Sequence, residues 1–143
     1  MALPIPRPGL VVSYEYLWMD EADQGLEYGR KHRPCAVIVA ITNDGGETET
    51  IVAPITHTRP TAPTEGIEIP APIKTHLGLD DEPAWVIVND LNQFIWPGFD
   101  LSPVPGGKSD QYAYGILPPK FFNQIKNRIL AIDAKLKAVT SRD

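Results

Sequence analysis

The chain has 143 residues, 43% hydrophobic and 22% charged, which is ordinary globular composition with enough length for one real core but not two. A net charge of −5 excludes a general, non-specific nucleic-acid binder, so any contact with RNA must be local. No apolar run approaches the roughly 20 residues that span a bilayer. The start Met1–Ala2–Leu3–Pro4–Ile5–Pro6 lacks a charged segment and a long apolar one, so a cytoplasmic protein without a signal peptide is expected.

In chain order, residues 9–18 read as a first strand, with Leu10, Val12, Tyr14 and Tyr16 alternating with Val11, Ser13 and Glu15. Residues 19–31 run from acidic to basic with Gly25 and Gly29 and no clean period. They predict a long loop with one helical turn at 20–24, and loops of that length are usually functional or mobile. Strands follow at 35–42 and 49–54. Between them, Asn43–Asp44–Gly45–Gly46 is a hairpin signal, because glycine takes positive φ without steric cost. Residues 59–65, with Pro60 and Pro63, form a connection, and 66–69 a short strand near an edge, since Pro70 ends it.

Residues 72–79 predict a helical turn stopped by Gly78, 84–88 a central strand and 93–96 another. Pro97–Gly98 and Pro103–Val104–Pro105–Gly106–Gly107 form a second irregular stretch. From Pro118 the period becomes helical. Phe122, Ile125, Ile129, Ile132, Leu136 and Val139 fall three and four apart in one apolar stripe, with Lys126, Arg128, Lys135 and Lys137 off it. That spacing predicts a single long helix over 119–139, opened by prolines whose missing N–H costs nothing in the first turn. Most of the β-structure is expected within 10–88. Fifteen prolines punctuate the chain into short strands and fixed turns. The pattern predicts a mainly β fold, a small partly open barrel with a C-terminal amphipathic helix packed on it.

Cys35, the single cysteine, lies in an apolar run and reads as a small core hydrophobe, with no partner for an intramolecular disulfide. His32, His57 and His76 are scattered without metal-ligand spacing, so neither a metal nor another cofactor is expected. Charge is uneven. Residues 1–119 hold 7 basic and 16 acidic side chains, whereas 120–143 hold 6 basic and 2 acidic. The dense basic cluster is Arg30–Lys31–His32–Arg33.

In an antiparallel hairpin, the ends farthest from the turn lie side by side. Arg33 enters the first strand and Thr56 leaves the second, so a fixed cation meets a hydroxyl at one sheet edge, a place to hold a phosphate. The same residues admit a plainer reading: Arg33 snorkels at the start of a buried strand, and Thr56 satisfies its own backbone.

Arg33–Pro34 before an apolar strand, then Ala53–Pro54–Ile55–Thr56, Ile67–Glu68–Ile69–Pro70 and Trp85–Val86–Ile87–Val88, in that order, resemble the PemK/MazF family of toxin endoribonucleases. The likeness runs from about Pro8 to the C-terminal helix, so it covers nearly the whole chain, 1–143, as a single domain. It implies an SH3-like barrel that dimerises with itself, cleaves single-stranded RNA without a metal, and is neutralised by an antitoxin. A disordered acidic antitoxin segment would suit the groove beside Arg33 and the 19–31 loop.

Metal-free RNA cleavage needs a base for the ribose 2′-OH, a cation for the developing phosphorane charge, and an acid for the leaving 5′-oxygen. The family's arginine and threonine map onto Arg33 and Thr56. Glu27 stands in the loop where the family often has a glutamate, one residue farther from the arginine than usual; a solvated carboxylate is the other reading. His57 is a candidate acid or base if the strand ends at Ile55, and otherwise a surface histidine. Arg30 and Lys31 are candidates for binding substrate, as is Trp96, by stacking on a base, unless its ring is core. Two departures from the family pattern stand out: Leu10 follows Gly9 where Asp is common, and Asn89–Asp90–Leu91–Asn92–Gln93 lacks the usual basic residue. An acidic barrel also suits a non-catalytic module that holds a protein or peptide on its aromatic-rich loops.

Overall fold

A computed structural model of the chain describes residues 3–23, 32–98, 100–132, 134 and 137–142. In order it runs β1 (Leu10–Glu15), α1 (Met19–Asp23), β2 (His32–Thr42), β3 (Thr48–Thr56), a short 3-10 turn, β4 (Gly66–Glu68), α2 (Ala71–Leu77), β5 (Trp85–Ile87), β6 (Asp90–Ile95), β7 (Ala113–Ile116), α3 (Pro119–Ala131) and β8 (Ala138–Ser141). The strands form one sheet in the order β4-β5-β3-β2-β1-β7, with β6 paired to β3 and β8 to β6. The sheet curls without closing, giving the mainly β, partly open barrel that the strand pattern predicts. Every pairing is antiparallel except that of β6 with β8.

The β2–β3 hairpin turns where the glycines place it. Asn43 Oδ1 accepts from the backbone N–H of Gly45 and of Glu47, both at 3.0 Å, and Gly46 takes φ of +83°. The first half of β3 pairs with β6 (Thr50 with Phe94) and its end with β5 (Ile55 with Val86). Pro54, with no N–H to donate, sits where the edge partner changes. β4 lies at the end of the strand order, as Pro70 predicts.

Both faces of the central strands are buried, which is why β2 reads as a continuous apolar run rather than an alternating one. Leu10, Val12, Tyr14, Tyr16, Cys35, Val37, Val52 and Phe94 pack on one face. Val11, Ala36, Ile38, Ala53 and Ile55 face the other way and pack with Phe121, Ile125 and Ile129 of α3. Cys35 is fully buried, as expected.

The C-terminal prediction needs correction. The helix stops at Ala131, not at 139, and 138–141 form a strand parallel to β6. Lys137 Nζ reaches back to the Ile129 carbonyl at 3.0 Å, satisfying one of the acceptors left at the helix end. The buried stripe runs through Phe121, while Phe122 is only partly covered and Val139 is 48% exposed. Strand β7 was also not expected. Among the described residues, no helix is long and apolar enough to cross a membrane.

Candidate active site

The β2–β3 ladder passes through Val37 with Val52 and Cys35 with Pro54; continued two residues outward, it brings Arg33 abreast of Thr56. The two residues line one cavity of about 300 Å³, together with His32, Pro34, His57, Asp80 and Tyr114. The sequence reading of a cation and a hydroxyl at the open end of the hairpin therefore has a physical counterpart.

Arg33 is half-buried. Its guanidinium lies 5.1 Å from the centroid of the Trp18 ring, and Trp18 in turn packs edge-on against Tyr16 at 4.9 Å. Arg33 Nε is shielded from solvent and has no hydrogen-bond partner. Burial lowers the pKa of the guanidinium; Cys35, Glu21 and Tyr16 act in the opposite direction. Arginine titrates so far above neutrality that it remains a cation here. Attraction to an aromatic face holds a guanidinium without using its N–H groups, which can then serve an anion.

Thr56 is 9% exposed, and its Oγ1 accepts from the Thr58 backbone N–H at 3.1 Å. That is the self-satisfying bond of the plainer reading, but it uses a lone pair and leaves the hydroxyl proton to donate. β3 ends at Thr56, one residue later than the histidine's participation was expected to require, and His57 lines the same cavity. His57 Nδ1 lies 2.9 Å from the Pro83 carbonyl, which can only accept, so Nδ1 carries a proton. Nε2 then faces Asp80 Oδ2 at 3.1 Å and Glu82 Oε2 at 3.8 Å.

The sequence shows no metal-ligand spacing around any histidine, but folding brings two carboxylates to His57. His57, Asp80 and Glu82 bring one donor atom each within 4.8 Å of one another, all three exposed. The sequence hides this trio because Asp80 and Glu82 lie more than twenty residues beyond His57. Folding brings the 80–83 segment back, and Lys74 Nζ holds it by bonds to the Asp81 and Glu82 carbonyls at 3.2 and 2.8 Å.

Three further residues at this end of the barrel escaped the sequence reading. Tyr114, on β7, lines the cavity; burial raises its pKa, so it is a neutral hydroxyl at neutral pH. Trp18 supplies the face beneath Arg33. Arg59 lies three residues beyond Thr56, with its guanidinium 5.2 Å from the Trp85 ring centroid. The adjacency of Arg59 to the Ala53–Pro54–Ile55–Thr56 motif was a signal that could have marked it.

Trp96 packs against the Leu10–Phe94 side of the core, with its ring 6.0 Å from that of Phe94, and it does not line the Arg33 cavity. Glu27, Arg30 and Lys31 lie outside the described residues. The chain matches no protein-family model and no curated protein sequence.

Proposed function

We propose that this protein is a PemK/MazF-like toxin, a metal-independent endoribonuclease for single-stranded RNA that works as a homodimer and is restrained by an antitoxin. The observation that carries the reading is that Arg33 and Thr56 line one cavity, which brings a charged planar fork and a hydroxyl donor to the same space. In the reaction, the ribose 2′-oxygen bonds to the adjacent phosphorus and the P–O5′ bond breaks. The products are a 2′,3′-cyclic phosphate and a free 5′-OH.

Arg33 donates to the non-bridging oxygens as their negative charge grows, and Thr56 donates one neutral hydrogen bond to the same group. The 2′-OH proton passes to a base, and the leaving 5′-oxygen takes one from an acid. His57 is the acid in this reading, since it lines the cavity and its ring is oriented by the Pro83 carbonyl and by Asp80. Glu27, a catalytic candidate from the resemblance, lies outside the described residues.

The test is mixed-sequence RNA incubated with the protein in EDTA, followed by analysis of the new ends. The reading predicts cyclic phosphate and 5′-OH termini with no loss of rate on chelation. No cleavage across many sequences would transfer the chain to the class of non-catalytic binding modules. Cleavage that EDTA abolishes would instead direct attention to His57, Asp80 and Glu82 as metal ligands.

A further inference from the structure

A second cavity, of about 620 Å³, adjoins the first, and Arg33 lines both. Arg59 also lines it, exposed and with its guanidinium 5.2 Å from the Trp85 ring centroid, much as that of Arg33 lies 5.1 Å from the Trp18 centroid. Neither guanidinium bonds a carboxylate or carbonyl among the described residues. Two arginines that line one groove, each with its guanidinium over an aromatic ring, offer two planar forks to an anion.

We infer that Arg59 forms a second phosphate-binding position, holding the phosphodiester next to the one at Arg33; this rests on the reading that RNA is the ligand of the Arg33 cavity. The sequence lacks a cation across Asn89–Asp90–Leu91–Asn92–Gln93, and Arg59 supplies a second fixed cation from a different segment. Three carboxylates also line the second cavity, which makes the arginine more necessary. Glu21 is nearly buried and accepts from the Trp18 N–H at 3.0 Å. Glu65 accepts from the Ala62 N–H at 2.9 Å and from Asn89 Nδ2 at 3.1 Å. Both are fixed to the wall, and with Asp20 they repel a strand that no cation offsets. Peptide carboxylates also pair with arginine, but a phosphodiester strand carries an anionic acceptor at every nucleotide, which suits two cations lining one groove.

The experiment measures binding of a fluorescein-labelled 2′-O-methyl RNA, which lacks the attacking hydroxyl, by anisotropy over a range of KCl concentrations. Cleavage of ordinary RNA is assayed in parallel. Arg59→Gln should weaken binding by about tenfold or more, the loss of a charge-assisted contact. It should also lower the slope of log affinity against log salt by about 0.7, the value for one phosphate contact on a single strand. Arg59→Lys should recover the slope but not the full affinity, and Glu65→Gln should tighten binding. If Arg59→Gln matches wild type in affinity and slope while RNA is still cleaved, the second position is overturned and the nuclease reading survives. If binding shows the Arg59-dependent slope but RNA is never cleaved, the second position stands and the nuclease reading falls. Binding of an acidic peptide without binding of RNA would overturn both.

Discussion

Arg142 ties the end of the chain to three parts of the sheet and its loops. Its side chain is 3% exposed, and it follows β8, the strand that extends the sheet beyond β6. Nη2 pairs with Asp100 Oδ1 at 3.0 Å, while Nη1 donates to the Glu15 carbonyl at 2.9 Å and to Asn92 Oδ1 at 3.2 Å. One guanidinium thus ties β1, β6 and the segment after β6 to the end of the chain. Arg142→Ala leaves Asp100, 12% exposed, without this cation, and removes donors from two buried acceptors. Removing one partner of a buried pair costs about 3–5 kcal/mol. With an unfolding entropy of about 2.1 cal/mol/K per residue, a chain of this length loses about 0.3 kcal/mol per degree, so Tm should fall by about 10–17 °C. Differential scanning calorimetry of wild type, Arg142→Ala, Asp100→Ala and the double variant is the assay. The double variant should cost clearly less than the two single losses combined, because the charges are coupled. A Tm drop of less than about 3 °C, with additive singles, would refute the view that this residue latches the terminal strand onto the sheet.

Cys35 should be inert to a thiol reagent near pH 8 in the native protein and react fully in denaturant, because burial pushes its thiol far above the ordinary value; rapid native labelling would contradict the packing of β2. Gly66→Ala should destabilise the fold by about 1–3 kcal/mol in urea titration, since a Cβ there would meet Pro60 Cγ at 2.5 Å and Ile87 Cδ1 at 3.3 Å. An unchanged midpoint would mean that Pro60 yields freely. Sedimentation at tens of micromolar should show a dimer, whereas a 15.8 kDa species would count against self-association.

The strands that carry strong local patterns were legible in the sequence. Leu10, Val12, Tyr14 and Tyr16 alternate, and they share one buried face. The glycines between Ile41 and Ile51 fixed the hairpin, and the hairpin register then aligned Arg33 with Thr56. Where the reading failed, tertiary contact overrode a local signal. Ile132, Leu136 and Val139 continue the spacing of α3, yet 138–141 pair with β6, a partner more than forty residues away. Strand β7 is only Ala113–Ile116, with Gly115 inside it, too short and too irregular to show a period. The chemistry around His57 was hidden for a similar reason. Asp80 and Glu82 come from one turn and Tyr114 from β7, and they meet His57 only in the folded barrel.

That the Arg33 guanidinium stabilises the charge growing on a scissile phosphate is tested most directly by the cleavage of RNA in EDTA by folded variants. Arg33→Ala, with its fold confirmed by circular dichroism, should lose about a hundredfold or more in rate, the usual consequence of removing a transition-state donor. Arg33→Lys keeps the charge without the fork and should recover only part of that loss. Thr56→Val should fall between these variants and wild type, since it removes one neutral hydrogen bond of about 1 kcal/mol. Equal cleavage by wild type and a folded Arg33→Ala would contradict the claim and move the search to Arg59 and His57.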